Sequence, residues 1–427
     1  MVTFTKLKPS ELKVVGIAAL GGALEFYDFM IFVFLANTVS PQFFPATQHI
    51  NSLLGLFSAF TVGYLARPIG GLVFSHYGDL RGRKKAFYVS ILLMAVPSLL
   101  IAILPNYQHI GFIAPVILVL LRIIQGLAVG GEIPGAITFT FEHVDVNKRG
   151  RAIVIVFFAL SLAVLFAQGI TALLHSLLTQ EQFYHWGWRI VFLIGAILGV
   201  VGGYMRKNVS ETPLFNSIKS QRKESYVPAA YLFKNHLPQL AQGLSILCLD
   251  AVSMFLLFLY MPTFLVNFKV HNPIPADEVH VINSISLGIF SVFMLLFGYL
   301  SDHLGRKKLI LIGSILLILL PYPMFTILLS GSTKAVLVSL IILGVSFSLV
   351  ASSYGAMLAE LFPAKVRYTG VGLAYNLAFA AFGGTTPLIV TYLIKVTKNP
   401  LMPAYYLMLL AVLGLLGTLT IKPNKLY

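Results

Sequence analysis

Charge and cysteine are what this sequence has least of. Only 11% of its 427 residues are Asp, Glu, Lys or Arg, where a soluble chain carries about 25%. So few charges cannot clothe a water-soluble fold of this size. A hydrophobic content of 58% says that the outside faces lipid instead. The single cysteine, Cys248, excludes an internal disulfide and any CxxC redox or zinc site; it lies in an apolar run, where packing is its expected role. Acids are fewer than bases, 15 against 30, giving a net charge of +15. The bases fall in short clusters between apolar runs, with no continuous basic face interleaved with aromatics, which excludes a nucleic-acid surface. No G-x-x-x-x-G-K-[ST] loop is present to cradle nucleotide phosphates, which argues against an ATP-driven pump. Nucleophile–base pairs and metal-ligand spacings are also missing. Neither an enzyme nor a metal or cofactor protein is therefore expected.

What the sequence does have is a series of apolar runs. About twelve reach the ~20 residues that a helix needs to cross a bilayer, centred near Phe26, Val62, Ala95, Ala128, Leu162, Gly195, Ser253, Phe290, Leu316, Ser346, Leu377 and Ala411. The basic start, MVTFTKLKPSELKVV, resembles a signal peptide, but the run behind it carries Glu25 and Asp28 and offers no small-residue cleavage site. It reads as the first span. One long polar stretch, Arg206 to His236, separates the sixth run from the seventh. The expected fold is all-α and membrane-embedded, with twelve transmembrane helices in two pseudo-symmetric six-helix bundles: residues 1–205, a linker at 206–236, and residues 237–427. Twenty-three of the 30 Lys and Arg fall in loops on one side and four on the other. By the positive-inside rule, the crowded side is cytoplasmic and holds both termini. The expected location is the inner membrane.

The halves echo each other. Asp79-Leu-Arg-Gly-Arg-Lys-Lys85 follows the second span and Asp302-His-Leu-Gly-Arg-Lys-Lys308 the eighth. Glu142 and Arg149, seven apart after the fourth span, are matched by Glu360 and Arg367 after the tenth. Two matches at corresponding loops indicate a duplicated six-helix unit.

These loops resemble the signature loop of the major facilitator superfamily. Ala23-Leu-Glu-Phe-Tyr-Asp28, Arg67-Pro-Ile-Gly-Gly71, Gln125-Gly-Leu-Ala-Val-Gly-Gly-Glu132, Trp186-Gly-Trp-Arg189, Glu211-Thr-Pro-Leu-Phe215, Arg367-Tyr-Thr-Gly370 and Met402-Pro-Ala-Tyr-Tyr-Leu-Met408 look like the metabolite:proton symporters of that superfamily, and among them the proline/betaine carriers. The resemblance covers about Leu20 to Ile421. It departs at Leu80-Arg81, where the family places its base directly after the aspartate, and at Ser75, where the family has glycine and the second half keeps Gly298. It implies proton-coupled uptake, by alternating access, of a small zwitterionic or carboxylate metabolite such as proline or glycine betaine, by a protein working as a monomer. An exporter or antiporter of the same fold and a non-transporting sensor are the alternatives. The chain ends about six residues after the last span, without the coiled-coil extension of osmosensing relatives, so steep osmotic activation is not expected.

An ionisable group inside a span costs upward of about 2.5 kcal/mol on insertion scales and is read first as functional. Glu25 and Asp28, three apart, share one helix face. Burial favours the protonated carboxyl and a nearby cation the ionised one, so such a group can load and release a proton; a structural pair is the alternative. Resemblance to the superfamily's proton-coupled sugar carriers implies that Arg122 faces the first-helix acid. On its own chemistry it can also clasp a substrate carboxylate, and Gln125 follows one turn later. Glu132 is a coupling or a packing residue, and Arg67 supports a gate or the fold. Asp250 is the lone acid in the seventh span: a contact for a substrate cation, a second proton site, or a helix-interface residue. Tyr27, Tyr260, Tyr354, Tyr375 and Asn376 fall on helices that line the cavity of the resembled fold. The tyrosines there are either an aromatic cage for a quaternary ammonium or plain packing. The family's cytoplasmic gate maps onto Asp79, Arg83, Glu142, Arg149, Asp302, Arg306, Glu360 and Arg367, with Asp79 expected near Arg367 at the start of the eleventh helix. His143 and His303 are expected to be solvated.

Overall fold

A computed structural model describes residues 7–81, 83–207, 228–268, 274–363 and 366–422. Within these, the side chains of residues 17, 24, 25, 75–81, 83–88, 90–92, 202, 203, 205–207, 228, 276 and 277 are not described. The described residues form helices joined by short turns, with no strand among them.

The apolar runs become the spans. In chain order they are α1 (Pro9–Phe34), α2 (His49–Arg81), α3 (Arg83–Ile103), α4 (Ile113–His143), α5 (Arg149–Leu177) and α6 (Trp188–Lys207). The second half follows with α7 (Leu237–Asn267), α8 (Ala276–Leu304), α9 (Arg306–Leu319 with Pro321–Leu329), α10 (Thr333–Leu361), α11 (Arg367–Thr397) and α12 (Met402–Thr420). Ten of these are long and apolar enough to cross a bilayer; α9 is an eleventh, bent by 46° ahead of Pro321. In α3 the described apolar part is the shorter Leu93–Ile103. The twelve expected spans are thus all helices at the expected places. The linker falls largely outside the described residues, and the part that is described ends in a short helix, Pro228–Asn235.

Several spans are not continuous α-helix, and their breaks lie near the centre of the molecule. Two successive glycines, Gly130 and Gly131, interrupt α4. Two π-helical turns, Phe255–Tyr260 in α7 and Phe379–Gly383 in α11, meet through the rings of Phe255 and Phe379, 6.0 Å apart. Such turns expose backbone groups and favour functional positions; membrane helices tolerate them where neighbours satisfy the freed carbonyls.

Close packing comes from small residues. Without a hydrophobic drive between helices in lipid, backbones must touch for dispersion to hold them. Gly126-Leu-Ala-Val-Gly130 gives α4 a glycine face, against which α2 lays Gly63 and Gly70. A Cβ on Gly126 would stand 1.8 Å from the Gly63 carbonyl oxygen, and one on Gly70 would stand 1.9 Å from that of Leu127.

The six-helix halves meet where α5 packs on α8 and α2 on α11. The start of α1 and the end of α12 lie at one face. There Glu11 of α1 pairs with Lys148 at 3.5 Å, and Lys307 reaches the carbonyl of Ile421. That face is called the terminal face below.

Candidate functional site

Two polar sites lie inside the spans. The first is built on α1, α3 and α4. Asp28 is 3% exposed, and Arg122 and Gln125 are fully buried. One carboxylate oxygen of Asp28 accepts the hydroxyl of Ser98; the other accepts the Gln125 amide at 2.6 Å. The same amide nitrogen lies 2.8 Å from the Ser98 oxygen. Gln125 then accepts from Arg122 Nη1 at 2.9 Å. The acid and the arginine therefore communicate through Gln125, where direct opposition was expected. The cause is Phe32, one turn beyond Asp28 on α1: the guanidinium lies over its ring, 3.7 Å from the centroid, with Phe29 at 5.4 Å. Cation–π attraction holds the charge there, and the glutamine fills the gap. Nε and Nη2 of Arg122 have no hydrogen-bond partner among the described residues, so this arginine retains donors for an anion.

The second site is a cavity between the halves. Its walls come from α1 (Phe26), α5 (Phe157, Ser161), α7 (Asp250, Met254), α8 (Phe290), α10 (Phe347, Tyr354) and α11 (Tyr375, Phe379). Asp250 is 4% exposed. Phe157 of the first half stacks on Tyr354 of the second, centroids 4.8 Å apart, while Phe290 stacks on Phe347 at 5.0 Å and Tyr375 on Phe379 at 4.1 Å.

Of the candidate substrate-binding residues, Asp250, Tyr354 and Tyr375 line the cavity in the structure. Tyr27 and Tyr260, expected there as well, lie one helix face away. The Tyr27 hydroxyl donates to the carbonyl of Val191 at 3.0 Å, and its neighbour Phe26 lines the cavity instead. The Tyr260 hydroxyl bonds Thr391 at 2.8 Å, and its ring abuts Phe57. Asn376 points toward the first half: its amide donates to the carbonyl of Gly130. Two residues on, across the break in α4, the half-buried Glu132 starts the second part of that helix. Arg67 is buried with its guanidinium over Tyr64 at 4.8 Å. The side chain of Glu25 lies outside the described residues. Reasoning from sequence missed Ser98 and the phenylalanines of the cavity. Only helix rotation reveals them, since neither residue type is rare in the spans and neither stands out in an apolar run.

Locks between the halves lie on both sides of the cavity. At the terminal face Asp302 accepts the backbone N–H groups of Gly150 at 2.8 Å and Arg151 at 3.1 Å, at the start of α5. Arg151 Nε and Arg306 Nη2 add ion pairs at 3.2 Å each, and Arg306 also grips Glu360. Arg367 pairs with Glu142 across the halves at 2.8 Å, and the Phe141 ring sits between Arg149 at 3.9 Å and Arg367 at 4.9 Å. The side chains of Asp79 and Arg83 lie outside the described residues, so the expected Asp79–Arg367 approach does too. At the opposite face Asn267 donates to Asn37 at 3.0 Å and Lys395 to Asn51 at 2.7 Å, and near mid-span Thr61 donates to the carbonyl of Gly384 at 2.8 Å. Between these two sets of contacts lies the cavity, with a volume of about 40 Å3.

The chain can be compared with known proteins on this geometry. The family model of the Major Facilitator Superfamily matches residues 18–383 and 252–425. The chain is 31% identical over 419 residues to the glycine betaine/proline/ectoine/pipecolic acid transporter OusA of Dickeya dadantii, covering 96% of this chain and 83% of that one. It is 30% identical over 420 residues to the proline/betaine transporter of Escherichia coli, with the same coverage. Among solved structures, the proton:xylose symporter XylE bound to 6-bromo-6-deoxy-D-glucose superposes with a TM-score of 0.79 at 16% identity, covering 96% of this chain and 94% of that one. The partially occluded inward-open form of XylE from E. coli gives 0.74 at 17% identity, covering 96% and 97%. The solved structures share the fold, and the curated relatives share sequence along nearly the whole chain. Twelve long helices in two halves, tied to each other on either side of a central cavity, fit that company: the chain belongs to the major facilitator superfamily and is a multi-pass secondary transporter of a small molecule, not an enzyme.

Proposed function

We propose that the chain carries a small zwitterionic or carboxylate metabolite, of the kind that proline and glycine betaine represent, into the cell together with protons. The reading places it in the inner membrane with the terminal face cytoplasmic, in line with the crowding of Lys and Arg on that side. Its relatives are named for zwitterions with one carboxylate and one fixed or secondary ammonium, which supports the substrate class.

The observation that carries proton coupling is the Asp28–Gln125–Arg122 chain. A buried carboxylate held through a neutral amide is a clasp that can be undone. With Gln125 and Ser98 donating and the Arg122 charge behind them, the carboxylate is compensated. When the helices rearrange and the amide turns away, the same group in an apolar setting is cheaper protonated than ionised. The locks at the two faces then open in alternation around the cavity, and the driving force is the proton gradient, with no cofactor.

The test is uptake in proteoliposomes under an imposed inward proton gradient with radiolabelled proline and glycine betaine. Accumulation above the external concentration that collapses with a protonophore is expected. Depletion of preloaded solute under the same gradient would make the protein an antiporter or exporter. Movement unaffected by the gradient would remove proton coupling.

A further inference from the structure

The central cavity has a charge preference written into its walls. Asp250 is its one lining group that ionises as an acid, and no Lys or Arg is among the lining residues. The carboxyl of Asp250 makes no hydrogen bond and no ion pair to any described residue, although it is nearly buried. Elsewhere in the spans the buried acid is met: Asp28 has Ser98 and Gln125. A lone carboxylate in an apolar hole is costly until a cation joins it. The surrounding rings of Phe157, Phe347, Tyr354 and Tyr375 point the same way, because the face of an aromatic ring attracts positive charge.

The shape of that cation follows from what is missing. A primary ammonium or a metal ion needs several oxygen acceptors. Here the oxygen acceptors besides Asp250 are three hydroxyls, those of Tyr354, Tyr375 and Ser161, the last of which gives its proton to the carbonyl of Phe157 at 3.2 Å; the other nine lining residues are phenylalanine, leucine, methionine and alanine. An ion with no N–H to satisfy, wrapped in methyl groups, is matched by ring faces and one distant carboxylate. We propose that this cavity takes a quaternary ammonium group with Asp250 as its counter-ion, and that small quaternary ammonium ions lacking any carboxylate bind there as well. Dicarboxylates, which lack the cation, are refused. At about 40 Å3 the cavity has space for only a few water molecules, so the halves must move apart for the ion to seat. The proposal rests on the transport reading only in taking this cavity as the cargo site. It separates the carboxylate-only metabolites from the ammonium-bearing ones.

Binding without a gradient tests it apart from proton coupling. The purified full chain in lipid nanodiscs at pH 8 is titrated with radiolabelled tetramethylammonium, and glycine betaine, choline and succinate serve as competitors. Tetramethylammonium should bind and be displaced by choline and glycine betaine but not by succinate. Asp250→Asn should weaken its binding more than tenfold. Tyr354→Leu, which keeps the acid and removes a ring, should weaken it severalfold; this variant supplies the answer if Asp250→Asn fails to fold. Absence of tetramethylammonium binding, displacement by succinate, or unchanged binding in both Asp250→Asn and Tyr354→Leu overturns the proposal. A protein that binds tetramethylammonium yet shows no gradient-driven uptake keeps the site and loses the coupling, so the two readings fail separately.

Discussion

Asn376 of α11 donates its side-chain amide to the backbone carbonyl of Gly130, whose usual helical partner four residues on is Pro134, a residue with no N–H to give. The bond crosses between the halves, and each end of it leads to one of the polar sites. Tyr375, the next residue on α11, lines the cavity; Gln125, five residues before Gly130 on α4, holds Asp28. Tyr368, two turns earlier on α11, adds a second such bond to the carbonyl of Gly131 at 3.1 Å. A movement of α11 on filling the cavity is thereby passed to the helix that positions the carboxylate.

Asn376→Ala should loosen this linkage without removing either site. One buried hydrogen bond is worth about 0.5–1.5 kcal/mol net, about a threefold to tenfold change in an equilibrium. The expected outcome is a fall of that size in gradient-driven accumulation, with solute counterflow in the absence of a gradient changed less than twofold. Equal loss of both would make Asn376 a cargo ligand, the role that its place on α11 suggested from sequence.

Helix contact makes a second prediction. Gly126→Ala places a methyl group against the Gly63 carbonyl, where backbone on both sides prevents relief. Overpacking of this kind costs about 1–3 kcal/mol or more. A lower melting temperature in detergent and reduced yield of monodisperse protein are expected. Gly169→Ala is the control: a Cβ there meets nothing within 4 Å, and alanine is favoured over glycine in a helix by about 0.5–1 kcal/mol. A melting temperature for Gly126→Ala equal to that of Gly169→Ala would show that α2 and α4 do not cross as described.

The spans were legible because length and hydropathy are local properties, and the duplicated Asp302 loop was legible because a charge cluster repeats. The site was legible only in part. Asp28, Arg122 and Asp250 stand out, since an ionisable residue in an apolar run is rare and costly. Their partners do not: that Phe26 faces the cavity while Tyr27 faces α6 depends on a helix rotation of about 100°, one residue's worth. The apolar pattern of a span facing lipid on one side and protein on the other does not fix that rotation. Gln125 was singled out for its place after Arg122, yet only packing shows that it stands between the arginine and the acid.

The lock at the terminal face gives a third prediction. Asp302 uses both oxygens on the first N–H groups of α5, where the helix dipole is also favourable to a negative charge. Asp302→Asn removes the charge and turns an N–H toward backbone donors. Bonds to a charged group contribute about 1.5–3 kcal/mol each, so the lock should open far more often. In a Cys248→Ala background, a cysteine replacing Val154, which packs against Gly298 of α8 behind the lock, should react with a membrane-impermeant maleimide from the terminal face at least tenfold faster. An unchanged labelling rate would show that Asp302 does not hold the halves together.

The fourth prediction concerns the proton. Asp28→Asn keeps a side chain of the same size, and it can still accept from Ser98 or Gln125 with its one oxygen. What it loses is the capacity to alternate between charged and neutral. In the proposed cycle the ionised carboxylate sits behind Gln125 with Arg122 as its counter-charge, and the protonated form releases that hold. A permanently neutral amide mimics that form and cannot discharge a proton on the far side. Counterflow of labelled against unlabelled solute should therefore persist within a few-fold of the parent, while accumulation driven by a proton gradient falls to the equilibrium ratio of one. Counterflow should also lose its dependence on pH, a change that a merely structural role would not produce. If Asp28→Asn liposomes still concentrate solute against its gradient with protons as the only driving force, the carboxyl of Asp28 is not the carrier and Asp250 takes its place as the candidate.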